Sequence, residues 1–191
     1  VDAETAAREF DYRRVIAKGR FRHDLEMLVG PRIMEGEDGF NVITPLERDG
    51  GASTILVSRG WIPKKFRDQA ARSEDGQEAL PQGEVVVEGL LREPYKKNMF
   101  TPANNVEKWE FYFPDIPQMA QLTGAQPVWV EETMDTELME TLRRQSKGIP
   151  VARAAEVSLR NNHAQYIFTW YVSCPLICDS LKLTRRVSGI R

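Results

Sequence analysis

F-N-V-I-T-P-L-E-R-D-G-G-A-S-T-I-L-V-S-R-G-W-I-P, residues 40–63, is the stretch that decides the fold. Phe40 to Leu46 and Ser53 to Ile62 read as two extended runs around a turn, a β-hairpin. Asp49-Gly50-Gly51 supplies residues that accept positive φ, as a tight hairpin turn needs. In the second arm Ile55, Leu56 and Val57 are consecutive and apolar. A strand with one wet face would alternate there, so this strand is expected to be covered on both faces. Pro63 ends it.

Toward the N-terminus, Tyr12 to Phe21 alternates as a strand does. Val15, Ala17, Gly19 and Phe21 share one face; Lys18, Arg20 and Arg22 share the other. Gly30-Pro31 signals a turn, and Gly36 to Gly39, with acids between the glycines, signals another. Residues 1–11 are polar and carry no core pattern. Toward the C-terminus, residues 64–83 read as a charged surface loop with a short helix at Lys64 to Arg72. Glu84 to Glu93 is a strand with Val85, Val87 and Leu91 facing one way, and Gly89 within it marks a bulge or a close approach. Residues 94–108 are irregular, and Trp109 to Phe113 reads as a brief aromatic strand.

Asp115 is placed to cap a helix in which Ile116, Met119, Ala120 and Thr123 share a face, with Gly124 closing it. Val128 to Val130 is a strand. Asp135 is expected to cap a second helix, Thr136 to Gln145, with acids at its start and bases at its end, stopped by Gly148 and Pro150. The balance is about seven short strands against two or three short helices, and hairpin signals outnumber crossover helices. The expected fold class is mainly β (α+β): an antiparallel β-barrel or strongly bent sheet with two or three short helices. No internal repeat or low-complexity tract is present.

With 191 residues, the chain can bury a proper core in one domain. Its formal net charge of −2 gives no pull toward nucleic acid. Two histidines, no metal-ligand cluster, no nucleophile elbow and no phosphate-cradling glycine loop leave few parts for an enzyme. Residues 1–165 are expected to form a single soluble β-rich domain, and 166–191 a C-terminal segment resembling the start of a membrane helix. The longest apolar run, Tyr166 to Cys178, is broken by Thr169, Ser173 and Pro175 and closed by Asp179 and Lys182. It falls short of the roughly 18 residues that a span requires. The expectation is a soluble fragment, or a chain whose membrane segments are missing or altered. Cys174 and Cys178 suit a disulfide, half a metal site, or two thiols in a greasy segment.

One further stretch concentrates chemistry: V-S-L-R-N-N-H-A-Q-Y-I-F-T-W-Y, Val157 to Tyr171. A half-buried strand pattern meets Asn161-Asn162, and from Tyr166 the residues turn aromatic and apolar. Trp and Tyr suit a boundary between water and lipid, which puts His163 at a hinge between the two. Its neutral imidazole offers a lone pair to haem iron, with Gln165 or Asn161 to fix the other ring nitrogen. The bland alternative is a histidine hydrogen-bonded at a domain–membrane joint. His23, beside Asp24, is either a second ligand or partner contact, or a surface histidine next to a carboxylate. Arg59, in R-G-W, either presents a guanidinium to a haem propionate or is a buried Arg paired with an acid while Trp61 packs in the core. Trp109, Phe111 and Tyr112 are expected in the core rather than as a porphyrin shelf. The acidic run Glu131 to Glu140 is expected to be a solvated helix start.

R-N-N-H-A-Q-Y-I-F-T-W-Y resembles the C-terminal signature of the surfeit-locus-one family, called Shy in fungi, which usually has Leu at Ala164. Y-R-R-V, G-R-F-R-H, E-M-L-V-G-P-R, G-F-N-V-I-T-P-L, I-L-V-S-R-G-W-I-P, N-N-V-E-K-W and D-I-P-Q-M-A-Q-L-T-G resemble its other segments in order, covering roughly residues 12–171. The resemblance implies an assembly factor for mitochondrial cytochrome c oxidase, acting in maturation of the haem-bearing core subunit. It implies a soluble domain in the intermembrane space, held to the inner membrane by transmembrane helices, with the oxidase core subunit and other assembly factors as partners. It also implies haem a as cofactor, with His163 as the position of the iron ligand. A scaffold that stabilises an oxidase intermediate without touching haem fits the same fold. The segment is atypical after Tyr171, because Asp179, Lys182, Arg185 and Arg186 interrupt the family's second membrane helix.

Overall fold

The hairpin forms and lies at the centre of the sheet. The computed structural model describes residues 13–154 apart from 49, 51, 74–77, 95, 96, 98 and 136. In it β3 (Glu37–Arg48) and β4 (Ile55–Pro63) pair antiparallel from Leu46 and Ile55 to Gly39 and Pro63. The connection is longer than a tight turn. It runs from Arg48 to Ile55, with Gly50 at φ +74°, and the Arg48 guanidinium braces it by donating to Ser53 O and Oγ, each at 2.7 Å.

Ile55-Leu56-Val57 is covered on both faces, as its composition requires. Ile55 and Val57 point inward with Ala17, Leu46, Val87, Leu91 and Val130. Leu56 points outward into a second core with Met27, Ile43, Phe111, Met119 and Trp129. Burial of each such side chain is worth about 2 kcal/mol.

The sheet order is β1 (Arg14–Phe21), β5 (Glu84–Arg92), β6 (Trp129–Glu132), β4, β3, β2 (Met27–Met34). β1 also pairs with β3, so five strands close into a barrel and β2 extends it beyond β3. Every pairing is antiparallel except β4 with β6, which makes the barrel mixed. Six strands form among the described residues rather than seven, with three short α-helices: α1 (Gln69–Ser73), α2 (Ile116–Thr123) and α3 (Leu138–Lys147). Asp115 caps α2, accepting from Gln118 N–H at 3.3 Å, and Gly124 closes it in the left-handed region. Its buried Ile116, Met119 and Ala120 form the helical side of the outer core. Gly89 is a close approach, as expected: a Cβ there would stand 2.8 Å from Val130 Cγ1.

Several expectations are corrected. Gly30-Pro31 is not a turn; it is a cis peptide inside β2, where the pairing with β3 shifts register between Val29 and Arg32. The turn comes later, at Glu35-Gly36, and β3 starts at Glu37. Trp109 to Phe113 is not a strand. Trp109 sits at φ +56°, which breaks an extended run, and only isolated bridges form, Asn105 with Glu110 and Val29 with Phe111. The second helix begins at Leu138 and not Thr136; Asp135 does not cap it, and Glu137 at the N-cap makes no side-chain bond. Glu131 and Glu132 belong to β6, so the start of the acidic run is strand and not solvated helix.

The chain divides into two units, Val1–Glu156 and Val157–Arg191, and all the described residues fall in the first. Among them no helix is long and apolar enough to cross a membrane.

Candidate functional site

His163, Asn161 and Gln165 lie outside the described residues, as do Cys174, Cys178 and the segment 166–191. The described residues nearest to it in sequence are those up to Ala154. Trp61 N–H donates to Val151 O at 2.9 Å and Val151 N–H to Trp61 O at 2.8 Å. Two residues on, Met134 N–H donates to Arg153 O at 3.1 Å. The outgoing chain is thus held across the end of β4 by backbone bonds at Trp61 and Met134. Gly60, at φ +119°, allows the approach, because any Cβ there would run into the Val151 carbonyl.

The same bulge that produces Gly60 aims Arg59. Val42 faces Gly60 and Ile43 faces Ser58, so Arg59 is the extra residue between two pairs. Bulges re-aim side chains in this way. The Arg59 side chain is 5% exposed, with its guanidinium carbon 4.7 Å from the Phe21 ring centroid. Trp61 is buried too, and its indole N–H donates to Arg32 O at 3.0 Å. The expected pairing of Arg59 with an acid is not made: Nε and Nη1 have no hydrogen-bond partner. Burial pushes its pKa down, while Glu132 and Glu26 pull it up from a distance.

Arg59 floors a cavity of about 400 Å³ whose wall includes Glu132, Arg143 and Arg144. Burial raises the Glu132 carboxyl above its usual range, against the pull of Arg59 and Arg144. Arg143 and Arg144 both bind Glu140, which holds that carboxyl down at about 2. A second cavity, of about 430 Å³, borders the clamp and is lined by Gly60, Trp61, Glu132, Leu138 and Val151.

His23 is half-buried and not the surface histidine that sequence offered as the alternative to a second ligand or partner contact. Its Nε2 lies 2.9 Å from Pro81 O, its Nδ1 is buried without a partner, and burial lowers its pKa. Asp24 is bound instead by Arg22. Behind His23, Arg72 of α1 grips Glu26 in a fully buried two-bond pair, at 2.5 and 3.2 Å. Of the three aromatics, Phe111 is in the core as expected. Trp109 and Tyr112 are 38% and 36% exposed and line a cavity of about 670 Å³ with Phe40, Arg67 and Lys108.

Sequence reasoning missed Glu26 and Arg72 as buried charges and Glu132 as a half-buried one. The pairing of residues 46 apart leaves no local signal, and Glu132 was hidden in an acidic run. Among the described residues no group of three or more His, Cys, Asp or Glu side chains is placed to hold a metal.

A family model, the SURF1 family, matches residues 1–174. Surfeit locus protein 1 of Takifugu rubripes is 35% identical over 179 residues, covering 86% of this chain and 70% of that protein. The protein of that name from Gallus gallus is 34% identical over 182 residues, covering 87% and 55%. The one from Homo sapiens is 31% identical over 179 residues, covering 86% and 56%. The chain therefore spans from little over half to 70% of the length of these relatives.

Proposed function

The chain belongs to the SURF1 family, and we propose from that premise that it serves as an assembly factor for mitochondrial cytochrome c oxidase. It acts at the inner membrane, with the β-barrel unit on the intermembrane-space side, in maturation of the haem-bearing core subunit. The observation that carries this reading is the family match over residues 1–174, a range that includes Asn161, His163 and Gln165. The geometry is consistent with it: the barrel holds the chain leading to that motif by backbone bonds at Trp61 and Met134.

On this reading the motif holds haem a. The donor set suits it: one neutral imidazole to meet iron, and two neighbouring amides whose carbonyls can accept from the other ring N–H. His23 does not fit as a second ligand, since Nε2 is engaged by Pro81 and Nδ1 is buried. When bound, haem a would bring an iron centre for transfer to the oxidase; His163 would bind and orient it, and the amides would set the tautomer. Addition of haem a in detergent to the chain is expected to give a red-shifted Soret band that His163→Ala abolishes.

The second reading is a scaffold that binds oxidase subunits and leaves haem alone. Leu138, Met139 and Leu142 of α3 favour it: they are 67%, 76% and 47% exposed, unusual for large apolar side chains on one short helix. A Soret band that is absent, or unchanged in His163→Ala, supports the scaffold.

A further inference from the structure

Buried polar groups in folded proteins almost always find a hydrogen-bond partner. Arg59 is 5% exposed, and neither Nε nor Nη1 has an acceptor. Phe21 lies against the guanidinium face, which leaves the donors along its edge to be satisfied. Neither nearby acid does so. The Glu26 oxygens are committed to Arg72, and Glu132 makes no ion pair or hydrogen bond with Arg59. Arg59 lines a cavity of about 400 Å³, with Arg143, Arg144, Glu132 and Glu78 on its wall, Glu78 neutralised by Arg143 at 2.7 Å, and Val85, Val86 and Ile149 giving it an apolar side. A bulge at Arg59 makes the arrangement, and Gly60 beside it packs against the Val151 backbone.

We propose that this cavity is a carboxylate-binding site in which the unpaired N–H donors of Arg59 grip the ligand's oxygens. Guanidinium and carboxylate match in shape and charge, and removal from water strengthens the bond. The apolar side suits the hydrocarbon part of a small organic acid or the stem of an acidic side chain. The proposal stands whether or not the chain handles haem a.

The test uses the full chain labelled with ¹⁵N at arginine Nε, titrated at constant ionic strength with sodium succinate and, in a second arm, with a blocked tetraglutamate peptide. The Arg59 Nε–H resonance is expected to move saturably in at least one arm. Saturation by succinate identifies a free acid as the ligand; saturation by the peptide alone identifies an acidic segment. Arg59→Lys, which keeps the charge and loses the planar donor array, is expected to weaken binding by about tenfold or more. Val86→Glu, at a position 64% exposed, keeps the fold and sets a repelling carboxylate on the rim; it is expected to weaken binding severalfold. A drift no different from that caused by sodium chloride overturns the proposal, and so does affinity unchanged in either variant.

Discussion

Gly60 and Val151 are in backbone contact. A Cβ on Gly60 would stand 2.6 Å from Ala152 N and closer still to the Val151 carbonyl, at φ +119°. The contact ties β4 of the fold-deciding hairpin to Val151 and Ala152, which precede His163 in the sequence. Gly60→Ala therefore meets both a forbidden conformation and a clash. It is expected to cost about 3 kcal/mol in urea unfolding. Gly50→Ala is the control: its φ is +74° but nothing lies within 4 Å of the added carbon. That change should cost about 1 kcal/mol. Equal losses at the two sites would mean that strain, and not the clamp on Val151, is what matters.

Glu26 and Arg72 form a buried pair with 8% and 0% exposure. Leaving one charge without the other is worse than removing both. Arg72→Met alone is expected to cost about 3–5 kcal/mol. Glu26→Leu added to it should recover most of the loss, because two apolar side chains then fill the space. A double variant as unstable as the single one would show that the pair is itself stabilising.

His23 gives a pH dependence with a definite sign. Burial holds its pKa below the usual 6.5. As pH falls through that range the unfolded chain takes up a proton before the folded one does. Stability is therefore full above the unfolded pKa and is lost as pH drops below it. Besides burial, the Pro81 carbonyl raises the ring's pKa, Arg59 and Arg72 lower it, and Glu26 raises it. Tm should fall between about pH 7.5 and 5.5, and fall less in His23→Gln. An identical fall in the variant would assign the effect to other groups.

The α3 surface separates folding from association. Leu138 and Met139 are 67% and 76% exposed. Replacing both by Ser should change stability by no more than about 0.5 kcal/mol per site. If the scaffold reading holds, the same variant loses co-migration with the oxidase core subunit on native gels. Full co-migration would remove α3 from the contact.

Legibility differed by residue. The strands at Arg14–Phe21 and Glu84–Arg92 showed in alternation, and α2 showed in its cap, apolar face and closing glycine. Those signals are local, so a reading of neighbours finds them. Gly30-Pro31 misled, because a dipeptide that makes turns in isolation is held here inside β2 by pairing with β3 on either side. Trp109 misled too. Its indole donates to Glu26 O at 2.9 Å, and that distant bond goes with a backbone angle that no strand pattern predicts. Of the candidate site residues, Arg59 was visible as a residue but not as a bulge, since a bulge exists only relative to the partner strand.

By itself the sequence determined the β-rich class, the doubly covered strand at Ile55–Val57 and, through ordered motifs, the family. These depend on periodicity and residue type, which are properties of a few adjacent positions. Only the tertiary structure decided that β4 and β6 run parallel, that the barrel closes between β1 and β3, and that Arg59 and the Glu26–Arg72 pair are buried. Pairing register and burial depend on contacts between residues far apart in the chain. Whether a charge is solvated or left with unmet donors is settled by what folds over it, not by its neighbours in the sequence.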